Sequence, residues 1–183
     1  MSIQDTRAAL IELLKQRSVR WGEFTLASGK TSDFYVDARV TTLNAQGALL
    51  IADLVLDNLN DEVVAVGGPV TGAIPIVGAV ALRSAQLGRP VHGFMVRKQP
   101  KGHGAKNWVE GLANLPKNAA VCMVEDTVTT AGSLVTAIEK VQALGYRVVQ
   151  AIAVVDREEG ARERLEAARV PFIALTTRTD LQH

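Results

Sequence analysis

Two adjacent acids, Glu125 and Asp126, are the side chains of this sequence whose position best suits chemistry. They follow an unbroken apolar run at residues 119–124, which is typical of a strand buried on both faces of a parallel sheet. After them, apolar residues recur at helical spacing from Leu134 to Leu144, and Gly145 supplies a stop. The order of strand, acids, loop and helix places two carboxylates beside a helix N-terminus.

The segment between that strand and that helix, residues 127–133, is small and rich in hydroxyl groups; we call it the phosphate loop. An anion can approach such a backbone closely, and the unpaired N–H groups and positive end of the helix favour it. The loop has no lysine, so it is not the nucleoside-triphosphate loop that ends in Gly-Lys-Ser/Thr. An ordinary capped helix is the alternative, but the acid pair at the end of a strand favours a ligand site. A sugar phosphate would satisfy both the acids and the loop.

A second candidate segment is the long loop at residues 97–111, which we call the lid. Its cationic or potentially cationic side chains are Arg97, Lys98, Lys101 and His103. Loops of about fifteen residues in compact domains are usually lids, binding loops or disordered segments. A cationic lid could close over a polyphosphate and stabilise its departure. The alternative is a solvated basic loop.

Two further positions have a functional and a structural interpretation. The glycine-rich segment at residues 67–73 lies between a strand and a helix. It is either a second anion site or a plain turn. Arg157 follows a strand, where a guanidinium can bind a carboxylate through two hydrogen bonds. From spacing alone, an ion pair of Arg157 with Asp156 or a nearby glutamate is favoured.

The remaining pattern predicts the elements that position these residues. Helices are predicted at residues 2–15, 43–59, 73–82 and 160–168, and strands at 63–66, 91–96, 148–155 and 172–175. Strands that alternate with helices predict an α/β fold with a doubly wound, mainly parallel sheet flanked by helices. A short hairpin near residues 22–37 stands outside this alternation.

Composition limits the classes of protein that fit. The chain has 183 residues, which predicts one domain, and a net charge of +1, which implies neither a nucleic-acid nor a membrane partner. The single cysteine, Cys122, lies within the apolar run and predicts a buried, inert thiol. It also fits a reducing, cytoplasmic compartment, and we expect no signal peptide. The three histidines lack metal-ligand spacing, so no metal held by the protein is predicted.

The segment from Val121 to Ser133 resembles the phosphoribosyl pyrophosphate signature of the type I phosphoribosyltransferases, with Ala131 where that family often has glycine. Four further segments resemble the orotate phosphoribosyltransferase family. They are residues 24–37 (FTLASGKTSDFYVD), 68–75 (GPVTGAIP), 97–104 (RKQPKGHG) with Glu110-Gly111, and 155–160 (VDREEG).

This resemblance implies the type I phosphoribosyltransferase fold as a single domain over residues 1–183, with about residues 1–40 contributing a small N-terminal hood. It implies transfer of a phosphoribosyl group from phosphoribosyl pyrophosphate to orotate in pyrimidine synthesis, with Mg²⁺ carried by the diphosphate. Catalysis would involve Lys101, His103 and Asp126. Orotate would contact Thr129, Arg157, Tyr35 and Val36. Phosphoribosyl pyrophosphate would contact Arg97, Lys98, Lys101, His103, Glu125, Asp126, Thr127, Val128, Thr129, Thr130, Ala131, Gly132 and Ser133.

The resemblance also implies a homodimer in which the lid reaches the partner subunit's site. The chain departs from some family members at Ala27, Thr71 and Gly72, and Lys30 could compensate for one lost cation. Two other functions remain open from the residues. One is a phosphoribosyltransferase for a different base. The other is a non-catalytic sensor of phosphoribosyl pyrophosphate that binds nucleic acid, against which the near-neutral charge counts.

Overall fold

The computed structural model describes residues 2–25, 31–99 and 108–182, except for the side chains of Thr25 and Ser32. Its strands are β1 (Val19–Thr25), β2 (Thr31–Val36), β3 (Ala65–Pro69), β4 (His92–Val96), β5 (Val109–Glu110), β6 (Ala120–Val128), β7 (Arg147–Asp156) and β8 (Phe172–Thr177). Six of them form the main sheet in the order β5-β4-β3-β6-β7-β8. Neighbours in this sheet are parallel except β4 and β5, which are antiparallel. The predicted parallel sheet is confirmed.

Helices cover both faces of this sheet. They are α1 (Ile3–Arg17), α2 (Arg39–Thr42), α3 (Ala45–Asn58), α4 (Ala73–Gln86), α5 (Gly132–Ala143), α6 (Ala161–Ala167) and α7 (Arg178–Leu181), with a 3-10 turn at Leu112–Asn114. No helix in the described part of the chain is both long and apolar enough to span a membrane.

The central strand β6 shows why the fold is doubly wound. Val121 and Met123 point to a core cluster that they share with α5 and α6, whereas Cys122 and Val124 point to the cluster under α1, α3 and α4. All four side chains are fully buried. Because successive residues of a strand face opposite sides, an unbroken apolar run fills both cores.

The thiol of Cys122 has no exposed surface, so its predicted burial is confirmed. Burial disfavours the charged thiolate and raises the pKa of this thiol far above its ordinary value. The side chain therefore acts as a small apolar filler.

The N-terminal region contributes both to the core and to a separate hairpin. Helix α1 begins with a capping box formed by Ser2 and Asp5, and buries Leu10 and Leu14. Strands β1 and β2 form a two-stranded antiparallel sheet of their own. The Trp21 and Phe34 rings pack in this hairpin with their centroids 5.0 Å apart.

Several elements and boundaries differ from the sequence prediction. The helix expected over residues 43–59 is α3, which begins at Ala45 because Asn44 accepts hydrogen bonds from the backbone N–H groups of Gln46 and Gly47, and the short helix α2 precedes it. Strand β6 continues to Val128, where it pairs with Asp156 of β7. The lid region contains the short strand β5, and the chain forms helix α7 after β8.

Candidate active site

The predicted site residues of β6 and β7 meet at one edge of the sheet, where the parallel strands have their carboxyl ends. The backbone N–H of Arg157 donates to the carbonyl of Val128 over 2.9 Å, so the two strand ends are joined directly. Thr127 and Val128, which we predicted within a loop, lie in strand β6. Only residues 129–131 of the phosphate loop therefore connect β6 to α5 outside regular structure. Ligands of open α/β sheets bind at this kind of edge.

The acid pair is held along the strand by its own backbone. The N–H of Asp126 donates to Glu125 Oε1 over 3.2 Å, and the N–H of Thr127 donates to Asp126 Oδ1 over 2.8 Å. Glu125 is only 9% exposed, and burial together with the negative charge of Asp126 raises the pKa of Glu125 to about 8. At neutral pH the protonated carboxyl of Glu125 can thus donate a hydrogen bond to one hydroxyl oxygen of a ligand, while Asp126 accepts a hydrogen bond from another hydroxyl group. This combination suits vicinal hydroxyl groups.

Helix α5 begins without a side chain that caps it. Its first flanking residue, Ala131, has left-handed backbone angles of φ 55° and ψ 17°, and its methyl group is buried. Within the described part of the chain, no side chain caps the first turn, which starts at Gly132. Thr130 and Ser133 are exposed beside that turn, and Thr129 is half-buried. The arrangement leaves backbone N–H groups and hydroxyl groups facing the place where an anion would bind.

The glycine-rich segment between β3 and α4 packs against β6. A methyl group added at Gly72 would overlap the carboxylate of Asp126, and one added at Gly68 would overlap the carbonyl of Val124. The absence of a side chain at Gly72 therefore allows Asp126 to occupy its position. Some family members carry a cationic side chain at the position of Gly72. In this chain the carboxylate of Asp126 packs against the backbone of Gly72 instead.

The two described ends of the lid are fixed to each other and to helix α5. The N–H of Arg97 donates to the carbonyl of Trp108 over 2.8 Å, and the Arg97 guanidinium pairs with Glu110 at 2.9 Å. Lys140 Nζ donates to the Arg97 carbonyl over 3.3 Å and lies 3.9 Å from the centroid of the Trp108 ring. Lys98 is exposed, and its charge acts on Glu125. Lys101 and His103 lie outside the described residues.

A cavity of about 510 Å³ adjoins this lid stem and the first turns of α5. Its polar lining comes from Arg97, Lys98, Ser133, Thr136 and Lys140. Lys140 is not among the site residues predicted from the sequence. The signal for it was its spacing from Ser133 and Thr136, which places all three on one face of a helix.

Arg157 is buried to 8% exposure at the end of β7 and pairs with Glu159 at 2.9 Å. The ion pair that spacing favoured is thus present, with Glu159 rather than Asp156. The guanidinium lies 5.8 Å from the centroid of the Phe34 ring. Tyr35 and Val36 follow Phe34 on β2, so the structure brings the hairpin residues predicted to contact orotate next to the strand end that carries Arg157.

The sequence matches the phosphoribosyl transferase domain family over residues 40–174. Over 178 residues it is 45% identical to the orotate phosphoribosyltransferase of Rhodopseudomonas palustris (strain TIE-1), and this similarity covers 96% of the chain and 95% of that protein. The chain belongs to the orotate phosphoribosyltransferase family. This membership agrees with the resemblance that the motifs indicated.

Solved structures of this family have the same fold. The Mycobacterium tuberculosis orotate phosphoribosyltransferase in complex with inorganic phosphate superposes with a TM-score of 0.84 at 36% identity, over 98% of the chain and 99% of that protein. The same enzyme in complex with 5-phospho-alpha-D-ribosyl 1-diphosphate gives a TM-score of 0.79 at 34% identity, over 97% and 99%. The type I phosphoribosyltransferase fold of this chain is therefore established.

Proposed function

We propose that this chain transfers the 5-phosphoribosyl group from phosphoribosyl pyrophosphate to orotate, forming orotidine 5′-monophosphate and diphosphate in de novo pyrimidine synthesis. The observation that carries the proposal is the junction of β6 and β7. There the acid pair and phosphate loop, which suit a sugar phosphate, adjoin Arg157, which suits a carboxylate. The names of the family relatives support the choice of base.

The assignments divide the substrates among the elements at this edge. The phosphate loop, residues 127–133, would bind the 5′-phosphate through backbone N–H groups, and Glu125 and Asp126 would bind the ribose hydroxyls. Arg157, Thr129 and the backbone of Tyr35 and Val36 would enclose orotate. Diphosphate would be bound by the lid residues Arg97, Lys98, Lys101 and His103.

The reaction breaks the bond between sugar C1 and a diphosphate oxygen and forms a bond from C1 to a ring nitrogen of the base, which gives up its N–H proton to the diphosphate or to water. Positive charge grows on the sugar ring and negative charge on the diphosphate. The Asp126 carboxylate stabilises the first, and the lid cations stabilise the second. Lid closure would also exclude water, which otherwise hydrolyses the donor.

Mg²⁺ is proposed as a companion of the substrate, where it neutralises charge on the diphosphate oxygens. The described residues contain no group of three His, Cys, Asp or Glu side chains placed to hold a metal ion. The carboxylates of Glu125 and Asp126 are the acids nearest the proposed ribose position. They orient the sugar to which the metal-carrying diphosphate is attached.

We further propose a single domain over residues 1–183, a cytoplasmic location and a homodimer whose lids contribute to the partner's site. Exposed large apolar side chains on or beside helices α2 to α4 support a protein partner surface; they include Val40, Leu43, Leu49, Ile74 and Leu82. The exposed fraction of Leu43 reaches 71%. Sedimentation of the purified chain would test the dimer.

The deciding test is diphosphate release from phosphoribosyl pyrophosphate in the presence of Mg²⁺ and orotate, followed by the change in orotate absorbance. Turnover with orotate and none with uracil or purines is the expected result. Turnover only with another base would contradict the assigned substrate. No turnover with any base, together with binding of the donor and of nucleic acid, would favour the sensor.

A further inference from the structure

Arg178, a residue outside every motif considered above, joins the hairpin to the main sheet. It is the first residue of α7, directly after strand β8. Its Nη2 donates to Asp33 Oδ1 of β2 over 2.8 Å, and its guanidinium lies 5.6 Å from the centroid of the Phe34 ring. One side chain from the end of the sheet thus contacts two successive residues of the hairpin.

The Phe34 ring is the point where two arginines from neighbouring strand ends meet. Arg157 and Arg178 lie 5.8 Å and 5.6 Å from its centroid, and the ring itself is fully buried. Trp21 packs on the same ring from β1. Since guanidinium groups are attracted to aromatic faces, the ring and the two cations fix one another's positions.

The backbone that presents Arg178 is itself firmly held. Glu158 accepts hydrogen bonds from both the N–H and the hydroxyl of Thr179, at 2.8 Å and 2.7 Å. Asp180 closes a capping box with Thr177 and pairs with Arg7 of α1 at 2.5 Å. Glu158 directly follows Arg157, so one short loop sets the position of both arginines.

We propose that Arg178 is a positioning residue for the base substrate, which holds the hairpin strand β2 over the pocket through Asp33 and Phe34. This inference rests on the proposed function. Tyr35 and Val36, the residues proposed to enclose orotate, follow Phe34 directly, so a shift of that ring moves the wall of the pocket. Arg178 acts through the hairpin and not by contact with the base.

The energetics favour an effect on position over an effect on folding. The Asp33 side chain is 75% exposed and that of Arg178 is 28% exposed, and ion pairs so open to solvent contribute little to stability. Contacts that the pocket wall makes equally with the bound substrate and with the transition state nevertheless set KM, and their loss raises KM with kcat unchanged. Loss of Arg178 should therefore raise the KM for orotate while the protein stays folded.

The test compares Arg178→Gln, Asp33→Asn and the double variant with the wild type. We expect the KM for orotate to rise about tenfold in Arg178→Gln and by a smaller factor in Asp33→Asn, with kcat and the KM for the donor nearly unchanged. The double variant should resemble Arg178→Gln, because both single substitutions remove the same contact between Arg178 and Asp33. Arg89→Gln, which breaks the exposed ion pair with Asp61 elsewhere on the surface, is the matched control.

A second measurement reports on the hairpin without any activity. In a Trp108→Phe background Trp21 is the remaining tryptophan, since the chain has two. Acrylamide should quench its fluorescence more strongly after Arg178→Gln and Asp33→Asn than after Arg89→Gln. Unchanged quenching, or a raised KM in Arg178→Gln with a normal KM in Asp33→Asn, would overturn the proposal. Absence of orotate turnover in the wild type would instead contradict the proposed function and leave the quenching result standing.

Discussion

The carboxylate of Asp126 packs against the bare α carbon of Gly72, so the acid at the end of β6 and the turn after β3 fit together only without a side chain at position 72. Gly72 has ordinary right-handed helical backbone angles, φ −61° and ψ −39°. Conformational freedom is therefore not what requires glycine here. Close approach to the carboxylate is what requires it.

Gly72→Ala should displace Asp126 and lower kcat/KM for phosphoribosyl pyrophosphate by about ten- to a hundredfold, because the acid no longer faces the ribose correctly. Steady-state kinetics with varied donor measures the effect. The matched control is Gly78→Ala in α4, where an added methyl group meets no atom within 4 Å. This control should keep full activity and gain about 0.5–1 kcal/mol of helix stability. Equal activity of the two variants would contradict a role for Gly72 in positioning Asp126.

The raised pKa of Glu125 should make the stability of the protein depend on pH. In the unfolded chain this carboxyl has its ordinary pKa of 4.5, whereas in the folded protein the value is about 8. Unfolding therefore releases a proton between these two values, and the free energy of unfolding falls as pH rises through that window. Below about pH 4.5 no penalty from Glu125 is present.

Glu125→Gln removes this penalty, so its stability relative to the wild type should increase from pH 5 to pH 8.5, by an amount on the order of a few kcal/mol. Urea unfolding of the ligand-free protein at several pH values gives the comparison. Glu139→Gln on the exposed face of α5 serves as the control for loss of a carboxylate. Curves for Glu125→Gln and the wild type that stay parallel across the window would show that burial does not shift this group.

Ala131 should tolerate glycine but not a β-branched residue, because its φ of 55° lies in the left-handed region. Ala131→Val is expected to lose about 2 kcal/mol of stability and to weaken binding of the 5′-phosphate. Ala131→Gly should keep the loop geometry and serve as the control. Denaturant unfolding and calorimetry with inorganic phosphate measure the two effects, and an Ala131→Val protein as stable as Ala131→Gly would contradict the prediction.

Arg157→Ala should raise the KM for orotate by about two orders of magnitude and change donor binding little, because a buried guanidinium would no longer meet the orotate carboxylate. Glu159→Gln should instead lower the KM for orotate. It removes the carboxylate that now pairs with Arg157 at 2.9 Å, so the substrate no longer has to displace it. Calorimetry with the donor alone is the control measurement. Equal loss of donor and orotate binding in Arg157→Ala would exclude this arginine from the base pocket.

Lys101→Ala should reduce turnover by about two to three orders of magnitude without unfolding the protein, because it removes a positive charge from the leaving diphosphate. Single-turnover kinetics measures the chemical step. If lids serve the partner's site, mixing the impaired Lys101→Ala and Arg157→Ala chains at a low orotate concentration should raise activity above that of either variant alone, since a mixed dimer has one site with both residues intact. Lack of restoration in mixed dimers would place Lys101 in the site of its own chain.

The sheet and its edge were predictable because they depend on patterns within single segments. The apolar run of β6 requires burial on both faces, and that requirement placed Glu125 and Asp126 near the carboxyl end of a central strand, which in fact continues to Val128. The helical spacing of apolar residues within one segment likewise located α5 and its N-terminus. Local hydrogen bonds decided the boundaries that were missed, such as the Asn44 cap that separates α2 from α3.

Contacts between distant segments were beyond the sequence patterns. Nothing near Gly72 indicates that its backbone packs on Asp126, and nothing near Arg178 indicates that it pairs with Asp33, 145 residues away along the chain. Glu159 was anticipated only as one of several acids near Arg157. Such pairings arise when strand order brings remote ends together, and pattern along one segment has no information about strand order.

The buried thiol of Cys122 makes this chain convenient for spectroscopic labelling. It is the single cysteine of the sequence, it has no exposed surface, and its raised pKa keeps it protonated and unreactive. A cysteine introduced at an exposed position would therefore be the one site that maleimide or spin-label reagents modify. Pairs of such labels on the hairpin and on α7 would report the distance between them in the working enzyme, with the native residue left in place.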